Sequence, residues 1–108
     1  MTDATKWQIL GFEDGEAFDD YVYPRIAQLI RGKDVKVREL LQRLCKDPDF
    51  SPAGLAAEGH RKSVVMDVVN ALLKEEAAVW TDLTVLGSRA KGRLTEGGKE
   101  LVTNLMAE

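Results

Sequence analysis

Three cations at alternate positions, Arg89, Lys91 and Arg93, stand in a stretch (83–95) that holds no acid. On a β-strand this spacing puts all three on one face and Ala90, Gly92 and Leu94 on the other. Such a row can grip a phosphate backbone. It can equally be a solvated face whose Lys and Arg discourage edge pairing. A second pair, Arg61 and Lys62, opens a long stretch with helical apolar spacing. Cations there oppose the positive end of the helix dipole, an arrangement that an anionic ligand would relieve. Ser63 adds a hydroxyl, and Asn70 is the one amide in the stretch able to pair with a base edge. Val64, Asp67 and Ala71 are expected near the outer face of the same helix, where Asp67 would meet phosphates unfavourably.

The remaining reactive groups do not assemble into a reaction. There is one histidine, His60, and one cysteine, Cys45, so neither an intrachain disulfide nor a four-ligand zinc site can be built. Asp19-Asp20 and Glu75-Glu76 are adjacent pairs, whose side chains would splay by about 100° on a helix and could not share a substrate. No glycine-rich phosphate loop or nucleophile elbow is present. No catalytic residue, cofactor or metal is therefore expected. His60 reads as a loop residue, Cys45 as a packed core thiol, and Trp7, Trp80, Tyr21 and Tyr23 as packing residues or dimer contacts.

Composition bounds the answer from the other side. A chain of 108 residues is one domain's worth, and 44% hydrophobic with 31% charged residues is a globular balance. The net charge of −3 argues against nucleic acid until it is divided along the chain. Residues 1–20 hold one base and six acids, a net of −5, and the remainder holds 14 bases and 12 acids, a net of +2. Local charge is what a phosphate meets. No apolar run approaches the roughly 18 residues of a membrane span, and no signal-peptide pattern opens the chain, so a cytoplasmic protein without a membrane partner is expected.

The elements that must position these residues are mostly helices. Glu16 to Ile30 has helical apolar spacing interrupted by Pro24, which suits a short acidic helix ending near Tyr23 and a second opened by Pro24 as its first residue. Gly32 and Lys33 form its exit. Asp34 caps the next helix, with Val37, Leu40, Leu41, Leu44 and Cys45 as its buried stripe and Asp47-Pro48 as its stop. Ser51-Pro52 opens a short helix closed by Gly59, with Leu55 and Ala56 inward. A long helix runs from about 61 to 76 with Val65, Val68, Val69, Leu72 and Leu73 buried. From Trp80 the period becomes alternating: a strand at 81–86, a turn at Gly87-Ser88 and a return at 89–94 make a two-stranded hairpin over about 81–94. Thr95 caps a last helix carrying Leu101, Val102, Leu105 and Met106. Leu72 and Leu101 both read as core positions.

Residues 51–101 resemble the DNA-binding half of MarR-type winged helix-turn-helix regulators. The likeness rests on Leu55-Ala56 in the short helix and Ser63-Val64 opening the long one. It extends to Asn70-Ala71-Leu72, Glu75-Glu76 and the return Leu94-Thr95-Glu96-Gly97-Gly98-Lys99-Glu100-Leu101, a Leu-Thr-x-x-Gly-x-x-Leu pattern. Ala77-Ala78 stands where that family has a glycine, so the long helix must end without a glycine's left-handed freedom. The chain ends seven residues after Leu101, and the family's long dimer helices are not expected.

The resemblance implies an α+β, mostly helical winged helix with a β-hairpin wing. Residues 1–33 would be an acidic helical extension and 34–108 the winged-helix core of a single domain. It implies a transcription regulator that binds double-stranded DNA through Arg61, Lys62, Ser63, Asn70, Arg89, Lys91 and Arg93. The alternative is a winged helix that docks on a protein partner or a larger complex without DNA. Phe12, Phe18, Tyr21, Val22, Val102 and Met106 are the expected surface of a homodimer.

Overall fold

Asp34 does what its position asks: in extended backbone, its Oδ1 accepts a hydrogen bond from Lys36 N at 2.9 Å and starts a helix. The computed structural model of the chain describes residues 25–32, 34–82 and 89–107. They form five helices and three short strands in the order α1 (Ile26–Arg31), α2 (Val35–Lys46), β1 (Asp49–Phe50), α3 (Pro52–Ala57), α4 (Lys62–Lys74), β2 (Ala78–Asp82), β3 (Lys91–Leu94) and α5 (Glu96–Ala107). The fold is α+β and mostly helical, with one antiparallel sheet in the strand order β1-β3-β2.

α4 is the centre of the packing, in contact with α1, α2, α3 and β2. Its stripe Val65, Val68, Val69, Leu72 and Leu73 joins Val37, Leu40, Leu41 and Leu44 of α2 in one core. Ile26 and Ile30 of α1 belong to that core too, so it reaches N-terminally past residue 34. α1 starts at Ile26, with Arg25 in extended backbone before it, and Pro24 is not its first helical residue. A distant group caps this helix: Ile26 N donates to Glu75 Oε2 at 2.8 Å.

Ser51 and Pro52 open α3 as expected, with Ser51 Oγ accepting from Gly54 N at 3.0 Å. Leu55 is buried, whereas Ala56 is exposed, because a six-residue helix presents one narrow face to the core. Two helices end by the same device, in which the residue after the cap is left-handed and the next two N–H groups reach back to free carbonyls. For α3 these bonds are Gly59 N to Ala56 O and His60 N to Leu55 O, with Gly59 at φ +102°. For α4 they are Glu76 N to Leu73 O and Ala77 N to Leu72 O, with Glu76 at φ +59°. The missing glycine is thus answered by a glutamate held left-handed. Glu76→Gly should raise stability by about 0.5–1 kcal/mol, the relief of that strain less the added freedom of the unfolded chain. Urea unfolding of the two proteins checks this, and a destabilised variant would show that the turn carries no strain.

The sheet departs from the expected two-stranded hairpin. Asp49 and Phe50 form a third strand, pairing Asp49 with Arg93 and Phe50 with Gly92. Two residues between Pro48 and Ser51-Pro52 are too few to display an alternation. β2 begins at Ala78, three residues before the expected start, since the left-handed turn at Glu76 leads straight into the strand. The expected residues 83–88 of the hairpin lie outside the described residues. Gly92 is covered on one face by Phe50 and Trp80, whose ring centroids are 6.3 Å apart. A side chain at Gly92 would meet Phe50 Cζ at 2.8 Å.

Thr95 caps α5, its Oγ1 accepting from Gly98 N at 2.9 Å. Of the stripe on this helix only Val102 is fully buried, while Leu101, Leu105 and Met106 are partly covered. Val102 faces the core and is not available to a dimer surface. Met106, the other expected dimer residue on this helix, is half-buried against the core; Phe12, Phe18, Tyr21 and Val22 lie outside the described residues, as does the acidic helix ending near Tyr23. Cys45 is half-buried at the core's margin, its Sγ 3.9 Å from Thr103 Oγ1.

Candidate nucleic-acid interface

Alternation along β3 sorts its side chains as the sequence implies. Gly92 and Leu94 are buried, and Lys91 and Arg93 are exposed on the opposite face. Ala90 is buried and Arg89 exposed just before the strand. The outer face of the sheet therefore carries cations, flanked by Val79 and Thr81 of β2, both exposed. Thr81 Oγ1 donates to the Lys91 carbonyl at 3.4 Å and ties the two strands together. Arg93 is not a free cation: its Nε lies 3.8 Å from Oδ1 of Asp49, its cross-strand neighbour. Both side chains are more than half exposed, so this pair is weak and readily exchanged. Asp49 escaped the sequence reading because β1 did. A cleft of about 370 Å³ opens beside this face, lined by Asp49, Phe50, Ser51, Thr81, Lys91 and Gly92.

The second group sits at the start of α4. Arg61 is the N-cap residue, in extended backbone, and its side chain makes no capping bond. Lys62 and Ser63 follow in the first turn, and all three are exposed. The first turn contains no acid, so helix N–H groups and two cations add to one positive end. The segments before it are tied together by one side chain. Arg43 of α2 holds both carboxylate oxygens of Glu58 at 2.9 Å through Nε and Nη2. Its Nη1 donates to the carbonyls of Asp47 at 2.8 Å and Asp49 at 2.7 Å. One guanidinium thus joins the end of α2, β1 and the end of α3. The hydrogen bonds from Arg43 hold the Glu58 carboxyl below its ordinary value, and the carboxylate raises Arg43 in turn.

Asn70 joins neither group. It is 2% exposed, and Val64 and Ala71 are buried with it, so the outer face expected for these three is an inner one. α1, α2, α3 and β2 all pack on α4, and none of the residues in its second half is exposed. The Asn70 Oδ1 has no hydrogen-bond partner among the described residues. Only the first half of α4 is open, and there Asp67 is exposed and Met66 partly so. His60 lies in the α3–α4 turn.

Among the described residues no three His, Cys, Asp or Glu side chains come close enough to hold a metal ion. None of the described helices is long and apolar enough to cross a membrane. Comparison of the chain with family models, with curated proteins and with solved structures finds no match.

Proposed function

We propose that this chain is a winged helix-turn-helix protein, a transcription regulator that binds double-stranded DNA mainly through its phosphates. The observation that carries the reading is a run of exposed cations: Lys91 and Arg93 on the outer face of β3, and Arg89 just before the strand. The element order supports it: α3, a tight turn and α4 make the helix pair, and β2 and β3 make the wing. The strand order β1-β3-β2 is the one a wing needs to fold back beside the second helix. Arg61, Lys62 and Ser63 at the open end of α4 supply a second set of backbone contacts. With Asn70 inside, no exposed amide remains on the helix to read bases, so sequence discrimination would come from DNA shape more than from base edges. One such unit covers a single half-site, and pairing of two chains is the route to a regulator's affinity.

A protein partner with an acidic surface is the second reading, and the burial of Asn70, which leaves α4 no amide to read bases, favours it. Salt separates the two. On duplex DNA, replacing Arg89, Lys91 and Arg93 with Ala should leave the fold intact and flatten the slope of log K against log salt by roughly two to three. Arg93→Ala alone should flatten it by less than one, because Asp49 already neutralises Arg93 in part. Asp49→Asn, which releases Arg93, should tighten binding. A slope unchanged in the triple variant would remove DNA from the account of this face.

A further inference from the structure

Four of the five N–H donors of the Arg43 guanidinium are already engaged. Nε and Nη2 donate to the Glu58 carboxylate, and Nη1 donates to the carbonyls of Asp47 and Asp49. The side chain is only 23% exposed, so it is not a cation held out to phosphates. Its role lies in what it joins. Glu58 is the C-cap of α3, stands just before the left-handed Gly59, and lies three residues before Arg61, where the cations of α4 begin. Asp49 pairs across the sheet with Arg93 of β3, where the other cations stand. One side chain therefore bridges the two cationic groups, with only a few residues between it and each of them.

α4 is also tied to the sheet at its far end, where the turn at Glu76 leads into β2. That end stands about 20 Å from Arg61, the length of a thirteen-residue helix. A helix fixed there alone would swing its other end by about 2 Å for a pivot of about 5°, enough to lose a hydrogen bond to a phosphate. β1 is two residues long and has little of its own to hold it in place. A duplex is stiff and presents its phosphates at set spacings, so it rewards two cationic groups only when their separation is set too. A single strand bends to follow the cations it meets. Building on the DNA-binding reading, we infer that Arg43 is a positioning residue that touches no phosphate. By gripping Glu58 and the Asp49 carbonyl, it sets Arg61 and Lys62 against Lys91 and Arg93 at a spacing that favours duplex over single-stranded DNA.

The test titrates the full chain into a fluorescent duplex two helical turns long and, separately, into one of its strands alone. The parent should prefer the duplex. Arg43→Lys keeps the charge but not the fork, and should weaken duplex binding about 5- to 10-fold while changing single-strand binding by less than about twofold. Glu58→Gln separates geometry from charge. Removal of an acid near Arg61 would by charge alone tighten binding to either form. Loss of the bidentate grip should instead weaken the duplex about 2- to 5-fold and leave the single strand equal or tighter. Neither side chain touches a phosphate, so the slope of log K against log salt should stay that of the parent in both variants. Melting curves establish that the variants fold, and Glu58, 42% exposed, can be changed even where Arg43 cannot. Equal weakening of duplex and single strand overturns the inference, as does no change in either or a duplex tightened by Glu58→Gln. A parent that binds both forms alike overturns it too, while one that binds neither removes the DNA reading itself and the inference with it.

Discussion

Leu72→Ala is expected to destabilise the protein by about 2–5 kcal/mol, with the upper half of that range the more fitting. Leu72 has no exposed surface, and it sits on α4, the helix that α1, α2, α3 and β2 surround. Removing its isobutyl group forfeits the transfer free energy of the lost atoms and leaves a hole. Elements on every side are already locked to one another, so little can move in to close it. A domain of this length would lose roughly 10–30 °C of melting temperature, and a fold of ordinary stability would approach unfolding at room temperature. Leu101→Ala is the control. Although the two leucines look alike in the sequence, Leu101 is only partly covered, and its loss should cost under about 2 kcal/mol. Guanidinium unfolding with equal m values for all three proteins decides the matter. Equal losses at 72 and 101 would contradict the burial that separates them.

Why those two leucines look alike shows how far the sequence carries. Periodicity reports which residues share a face, and on that count α2, α4, β3 and α5 were all legible, as were the caps Asp34, Ser51 and Thr95. Periodicity does not report how many neighbours a helix will have. The apolar residues of α4 spread past a single stripe, with Val64 and Ala71 among them, and that breadth was the available sign of a helix covered on several sides. Asn70 reads as an outward amide because it is polar, yet it is buried in a half of α4 that has no exposed residue. Tertiary contact overrode the local signal there. The strand Asp49–Phe50 exists only because Arg93 and Gly92 lie opposite it, a pairing between residues more than forty apart that no local pattern encodes. The candidate site divides the same way. The cations of β3 followed from alternation alone, whereas the acid that partly neutralises one of them required the fold.

Gly98→Ala and Gly97→Ala, one residue apart in the first turn of α5, are expected to change stability in opposite directions. A side-chain carbon built on Gly97 meets nothing within 4 Å. Alanine there replaces an exposed helical glycine and should stabilise by about 0.5–1 kcal/mol, through helix propensity and a less free unfolded chain. A carbon on Gly98 falls on the Ala77 carbonyl oxygen and comes within 2.8 Å of the carbonyl carbon and 2.9 Å of the α-carbon. These are backbone atoms, and no rotamer change can clear them. The same carbonyl accepts hydrogen bonds from Thr95 N at 2.9 Å and Thr95 Oγ1 at 3.1 Å, while Thr95 Oγ1 in turn accepts from Gly98 N. Any retreat of α5 from Ala77 therefore strains the bonds that fasten the end of β3 to the end of α4. Overpacking alone costs about 1–3 kcal/mol, and a weakened hydrogen bond adds roughly another one, for a loss of about 2–4 kcal/mol. This gives the threonine and glycine of the Leu-Thr-x-x-Gly-x-x-Leu pattern a physical reason: the hydroxyl bridges a carbonyl and a helix end, and the glycine lets that helix come close enough for the bridge. Thermal unfolding of the two variants against the parent tests the account, with the Gly97 protein melting above it and the Gly98 protein below. A Gly98→Ala protein as stable as the parent would mean that α5 can slide along Ala77 freely, and the seat described for it would be wrong.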